Sequence, residues 1–145
     1  MKTAGLAFLL LVFGLCSTPV PLTATVTVQA TQTSGLGMQA QLVVDIVNTG
    51  PAIPHLGLVF RTGDRWFERH QMTELAGCTV ESDKGAFDCG DLASGENRTF
   101  AFQGVTTSAG TYHYELALRE LVQPFNYVND HPDGPDTQVW DETVG

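Results

Sequence analysis

Basic residues are scarce in this chain. Seven Lys and Arg stand against sixteen Asp and Glu, for a formal charge of −9. Phosphate is bound by clustered Lys and Arg, so this balance argues against nucleic acid as a partner. It also argues against electrostatic docking on anionic lipid. An acidic chain fits a soluble surface or secreted protein, or one that meets cations; the plainer role of the charge is to keep the protein in solution. Catalytic signatures are missing as well. There is no His-Glu-x-x-His, Gly-x-Ser-x-Gly, Ser-x-x-Lys or glycine-rich phosphate loop. The histidines, His55, His70, His113 and His131, are scattered. Catalysis needs a convergent nucleophile, base and orienting acid, so a non-enzymatic role is expected. Internal repeats and low-complexity segments are also absent. The 145-residue chain is 43% apolar, which suits one globular domain with a real core.

The N-terminus reads as a targeting segment. Met1-Lys2 supplies a positive end, and Leu6 to Leu15 (LAFLLLVFGL) is an apolar run too short for a stable membrane span. Residues 1–24 are read as a signal peptide, with Ala24 the last residue before cleavage and 25–145 the mature domain. Cys16 follows the apolar run directly, where a bacterial lipoprotein carries its lipidated cysteine. Leu15 before it is larger than that pattern wants. A lipid anchor at Cys16 is the one route to a membrane that this reading leaves, beside retention of the leader as an uncleaved anchor.

Removal of the leader leaves Cys78 and Cys89. An even count in an exported chain favours a disulfide. The stretch Cys78 to Gly95, CTVESDKGAFDCGDLASG, sets two short extended arms around the polar turn SDKG, so the pair closes a hairpin. The alternative, a metal-thiolate pair, has the wrong spacing for a zinc knuckle and no close His.

Period-2 alternation marks the strands. Ala24 to Ala30 sets Val26, Val28 and Ala30 against Thr25, Thr27 and Gln29. Gln39 to Asn48 puts Ala40, Leu42, Val44 and Ile46 on one face, and Asn48-Thr-Gly-Pro51 stops it. His55 to Arg61 turns Leu56, Leu58 and Phe60 one way. Arg98 to Val105 turns Phe100 and Phe102 inward. Thr111 to Leu121 alternates Tyr112, Tyr114, Leu116 and Leu118 with His113, Glu115, Ala117 and Arg119; its helix formers make helix the competing assignment. Thr137 to Val144 is a last strand carrying Trp140. Thr62 to Met72 reads as irregular, with Trp66, Phe67 and Met72 covering an end or edge of the core, or as a short helical turn. The sum is an all-β chain, an antiparallel immunoglobulin-like β-sandwich of seven to nine strands with one disulfide hairpin.

Three constellations are candidates for binding. Arg65, Trp66, Phe67, Arg69 and His70 form an aromatic-basic cluster. Exposed, it would be a patch for protein or carbohydrate; buried, Trp66 and Phe67 plug the end of the sandwich while the charges stay in water. Asn129, Asp130, Asp133 and Asp136 gather oxygen ligands in an acidic loop from Pro124 to Asp136. They read either as an exposed turn with Asx caps or as a weak calcium site, and no other cofactor is implied. His113 and Glu115, two apart on an outer strand face, read as a solvated pair. Asn97-Arg98-Thr99 matches the Asn-glycosylation sequon, which matters only in a host that glycosylates.

Three pieces together resemble a known family: QLVVDIVNTGPA (Gln41 to Ala52), CTVESDKGAFDCGDLASGE (Cys78 to Glu96) and NDHPDGPDT (Asn129 to Thr137) before a final strand. They are similar to the immunoglobulin-like repeat of bacterial and archaeal surface proteins called domain of unknown function family eleven, and to the related bacterial cell-adhesion-related domain. The likeness covers roughly residues 25 to 144. Family members usually occur as repeats in long chains, whereas this is one domain with its own leader, and Arg61 to Met72 departs from the pattern. The resemblance implies a secreted or cell-surface module of a prokaryotic envelope, adhesive or a spacer, with no catalytic residue. Protein or carbohydrate at the cell surface is then the expected partner; the alternative is a structural spacer or envelope-assembly subunit with no ligand of its own.

Overall fold

A computed structural model describes residues 23–121 and 134–145. The leader up to residue 22, Cys16 included, lies outside the described residues, as do 122–133 of the acidic loop. Alternating sequence becomes strand almost throughout: β1 (Ala24–Ala30), β2 (Thr33–Ser34), β3 (Gln39–Asn48), β4 (Leu56–Gly63), β5 (His70–Glu74), β6 (Thr79–Glu81), β7 (Ala86–Asp88), β8 (Asn97–Thr106), β9 (Gly110–Glu120) and β10 (Thr137–Val144). A single helical turn, α1 (Trp66–Arg69), leads into β5. Two sheets form, one in the order β1-β3-β8-β5 and the other β2-β10-β9-β4-β7-β6. This is the all-β, immunoglobulin-like sandwich expected from the alternation. Among the described residues all pairings are antiparallel except β2 with β10.

Among the described residues there are ten strands, where seven to nine were expected. β2 is two residues long, too short for a periodic signal. β5 falls in the segment read as irregular, because HQMTE carries no apolar alternation and its register to β8 shifts between Met72 and Glu74. The competing helix for Thr111 to Leu121 does not form; β9 pairs with β4 on one side and β10 on the other. Its sheet contacts outweigh the helix propensity of Glu, Leu and Ala.

The inward faces meet as expected. Leu42, Val44 and Ile46 of β3 and Phe100 and Phe102 of β8 face Leu56, Leu58 and Phe60 of β4 and Tyr114, Leu116 and Leu118 of β9, all buried. Phe87 of β7 stacks on Phe102 across the two sheets, with ring centroids 4.3 Å apart. The two turn motifs close one pole together. Asn48 is buried; its Nδ2 donates to Pro51 O and Ala93 O, both at 3.0 Å, and its Oδ1 accepts from Gly50 N–H. Ile53 and Leu92 exchange backbone hydrogen bonds at 2.7 and 2.8 Å. The turn after β3 and the turn before β8 are thereby stitched edge to edge.

The disulfide hairpin is observed. β6 and β7 pair antiparallel, Thr79 opposite Asp88, and Cys78 is bonded to Cys89 where the two arms meet the core. Ser82–Lys84 make a 3-10 turn that ends on Gly85 at φ 65°, a left-handed position where glycine is unstrained. The cross-link acts mainly by restricting the unfolded chain. Reduction should therefore lower unfolding stability by about 3 kcal/mol, read as a shift of the urea midpoint with and without reductant, while the folded far-ultraviolet spectrum keeps its strand signature.

Candidate functional site

The aromatic-basic cluster is the segment where the structure adds most to the sequence. α1 is one turn long, so its side chains diverge. Trp66 points into the core and is fully buried, and His70, the first residue of β5, is buried behind it. The two rings stack with centroids 3.9 Å apart. Phe67 is half-buried, with edge contacts to Phe60 and Phe87. Arg65 Nη1 donates to Ser82 O at 2.9 Å and to Glu68, which ties α1 to the turn of the disulfide hairpin. Arg69 donates to Asp64 at 2.8 Å and lies over the Tyr112 ring at 4.8 Å. The bond to Asp64 raises the Arg69 pKa above its ordinary value, so the guanidinium stays charged. The five residues are neighbours in sequence but do not present one face. Trp66 offers no surface to a ligand, and Trp140 is itself half-buried against Tyr114 at 5.2 Å.

Behind Trp66 lies a polar network that sequence reasoning missed. His70 Nδ1 donates to Trp66 O at 2.7 Å, because a carbonyl can only accept. That leaves Nε2 facing Glu142 Oε2 at 3.0 Å, with both side chains at 0% exposure. Tyr114 O–H donates to Glu142 Oε1 at 2.8 Å. Each polar group of the pair is thereby partnered inside the core, and removing either side chain strands the other there. β5 belongs to the four-stranded sheet, and β9 and β10 to the six-stranded one, so the network bridges the two layers. The signal for it was faint: Glu142 shares the parity of Trp140 and Val144, the inward face of β10.

The remaining candidates are placed as follows. Asn129, Asp130 and Asp133 lie outside the described residues. Asp136 is buried and accepts from Arg119 Nη1 at 3.1 Å, on the outer face of the six-stranded sheet. Among the described residues no group of three or more His, Cys, Asp or Glu side chains converges as metal ligands. His113 and Glu115 are not paired with each other, since β9 sends them to different neighbours. His113 meets Asp141 at 2.6 Å, and Glu115 accepts from Arg61 at 2.8 Å and from Thr62.

No protein-family model matches the chain, domain of unknown function family eleven included, and no curated protein matches it. Two solved structures are similar in shape. One is the solution structure of the CARDB domain of a Pyrococcus furiosus protein, 14% identical, covering 87% of this chain and 97% of that one, with a TM-score of 0.49. The other is a crystal structure of the same domain in complex with di-metal ions, 14% identical, covering 88% and 95%, with a TM-score of 0.46.

The Tyr114 hydroxyl carries a pH signature. Burial first, then the hydrogen bond and charge of Glu142, push its pKa well above the ordinary tyrosine value. A folded-state value above the unfolded one means that stability is fully present below about pH 10 and falls as pH rises past it. The wild type should lose stability steeply in alkali. Tyr114→Phe should be less stable at neutral pH yet lose part of that alkaline slope. An unchanged slope in denaturant titrations at pH 8 to 11, about the range where tyrosine titrates, would remove Tyr114 as its source.

Proposed function

We propose that this chain is an exported, non-enzymatic β-sandwich module that serves as a structural spacer or assembly subunit of the cell envelope. The observation that supports this best is the path of the chain. β1 and β10 both run from the pole closed by Asn48 toward the pole of the β2 turn. Thr23 sits beside Thr49, whose N–H and Oγ1 both donate to its carbonyl, while Gly145 pairs with Ser34 and Leu36 at the far end. The domain thus takes in the chain at one pole and releases it at the other, about 30 Å away for strands of this length. That is the geometry of a strut. The closed core, the disulfide and the bridged sheets suit a part that holds its shape outside the reducing cytoplasm.

Adhesion to protein or carbohydrate is the second reading. It draws support from Leu36 and Met38, both more than half exposed on the turn at the exit pole, and none from Trp66. In either reading the leader is cut upstream of Thr23. Ala24 is buried and pairs with Asn48, and a cut after it would remove that rung together with the Thr23 carbonyl.

The test is the intact mass of the protein recovered from its own host, before and after reduction. An envelope or medium fraction is expected, with a first residue at or ahead of Thr23 and a gain of about two hydrogens on reduction. A start at Cys16 with acyl chains would give the tethered form of the same module. Cytoplasmic protein with an intact leader and all three cysteines as free thiols would contradict the proposal.

A further inference from the structure

We propose that two copies of this chain pair through the free edge of β1, antiparallel about a two-fold axis at Gln29, so that their β1-β3-β8-β5 sheets join into one. The proposal rests on the reading of the chain as an assembling module, and names its partner as a second copy.

Exposed edges invite strand pairing, and proteins blunt them with shortness, bulges, charge or proline. Three of the four edges here are blunted. β2 has two residues, β6 has three and ends in Glu81, and β5 carries a register shift and ends in Glu74. β1 is seven residues long, regular in its register to β3, and holds no charge or proline. Its backbone polarity is set by two bonds. Thr31 N–H donates to Gln41 O, so odd positions face β3; Val26 N–H donates to Pro135 O, so even positions face outward. Among the described residues nothing takes the N–H of Val28 or Ala30. An axis at Gln29 sets Val28 opposite Ala30 of the second copy, and the two exchange N–H···O=C bonds in both directions. Val26 keeps Pro135.

Charge selects a second copy as the occupant. The chain carries −9, which repels its own kind. Residues 3 to 44 nevertheless hold no Asp, Glu, Lys or Arg. β1 and the first half of β3 are therefore a surface on which two copies meet without like-charge contact. Gln29 lies on the exposed face and meets its own symmetry mate; an amide both donates and accepts, so the pair is self-complementary. Beside it opens a shallow hollow of about 250 Å³ lined by Gln29, Ala30, Thr31, Gln41 and Val43. The second copy's Thr27 falls opposite Thr31, at that hollow.

The test uses the full chain, expressed with its own leader and purified from the compartment it reaches. Sedimentation velocity over a wide concentration range should show a monomer–dimer equilibrium. Gln29→Lys and Gln29→Glu, each placing like charges across the axis, should each weaken dimerisation by about tenfold, and an equimolar mixture of the two should restore it as a heterodimer. Gln71→Lys on the β5 edge should leave the dimer intact. A wild type monomeric up to its solubility limit, a dimer indifferent to Gln29, or a mixture no tighter than its parts would overturn the pairing. A mixture without rescue points to a foreign strand on the edge. None of these failures touches the export reading, which the intact mass decides separately.

Discussion

A carboxylate and an imidazole meet between the two sheets of this protein with no access to water. Moving such groups out of solvent costs several kcal/mol each unless every lone pair and proton finds a partner. Here the partners come from distant parts of the chain. Trp66 O in α1 fixes the His70 ring, His70 at the head of β5 meets Glu142 in β10, and Tyr114 in β9 completes the carboxylate. The arrangement is satisfied only when β5 sits on its sheet in one register, α1 makes its single turn, and the two sheets are packed at one separation. Apolar contacts tolerate sliding; this set does not. The network is thus the constraint on which the relative placement of the layers depends, and Trp66 is buried as part of it.

Most of the fold was legible in the sequence because most of it obeys alternation. β1 and β3 fall on the residues that their patterns mark, and the hairpin closes where the cysteine pair requires. Two things were not legible, for physical reasons. His and Glu are residue types that usually stay near water, so His70 read with the charges of the aromatic-basic cluster and Glu142 was not singled out. Their burial follows from a pairing across 72 positions of sequence, and no local period encodes that. In the same way Ala117 and Arg119 read as the outer face of β9, yet both are buried. The outer face there is covered, Arg119 being held by Asp136 after the acidic loop. The turn motifs were visible as turns, but not that Asn48 would bind the carbonyl of Ala93.

These features fit together under the proposed role as a spacer or assembly subunit. The disulfide restricts the hairpin under α1, Arg65 ties that hairpin to α1, and the buried network ties α1 and β5 to the opposite sheet. Rigidity therefore runs across the sandwich rather than along one sheet. The chain meanwhile enters and leaves at opposite poles, and its uncharged edge lies along the side. A unit built this way holds a distance and offers a flank, which is what a spacer or assembly subunit requires. The same rigidity leaves the aromatic-basic segment committed to holding the fold together.

The most direct measurement of this account is a double-mutant cycle on the buried pair, using His70→Phe, which keeps a ring against Trp66, and Glu142→Leu. Each single change strands the other polar group and should cost about 3–5 kcal/mol in equilibrium unfolding. The double change removes both and should cost well below the sum, with a coupling of about 2 kcal/mol or more. Additive losses would mean that the two side chains do not depend on one another, and that some other contact sets how the sheets are joined.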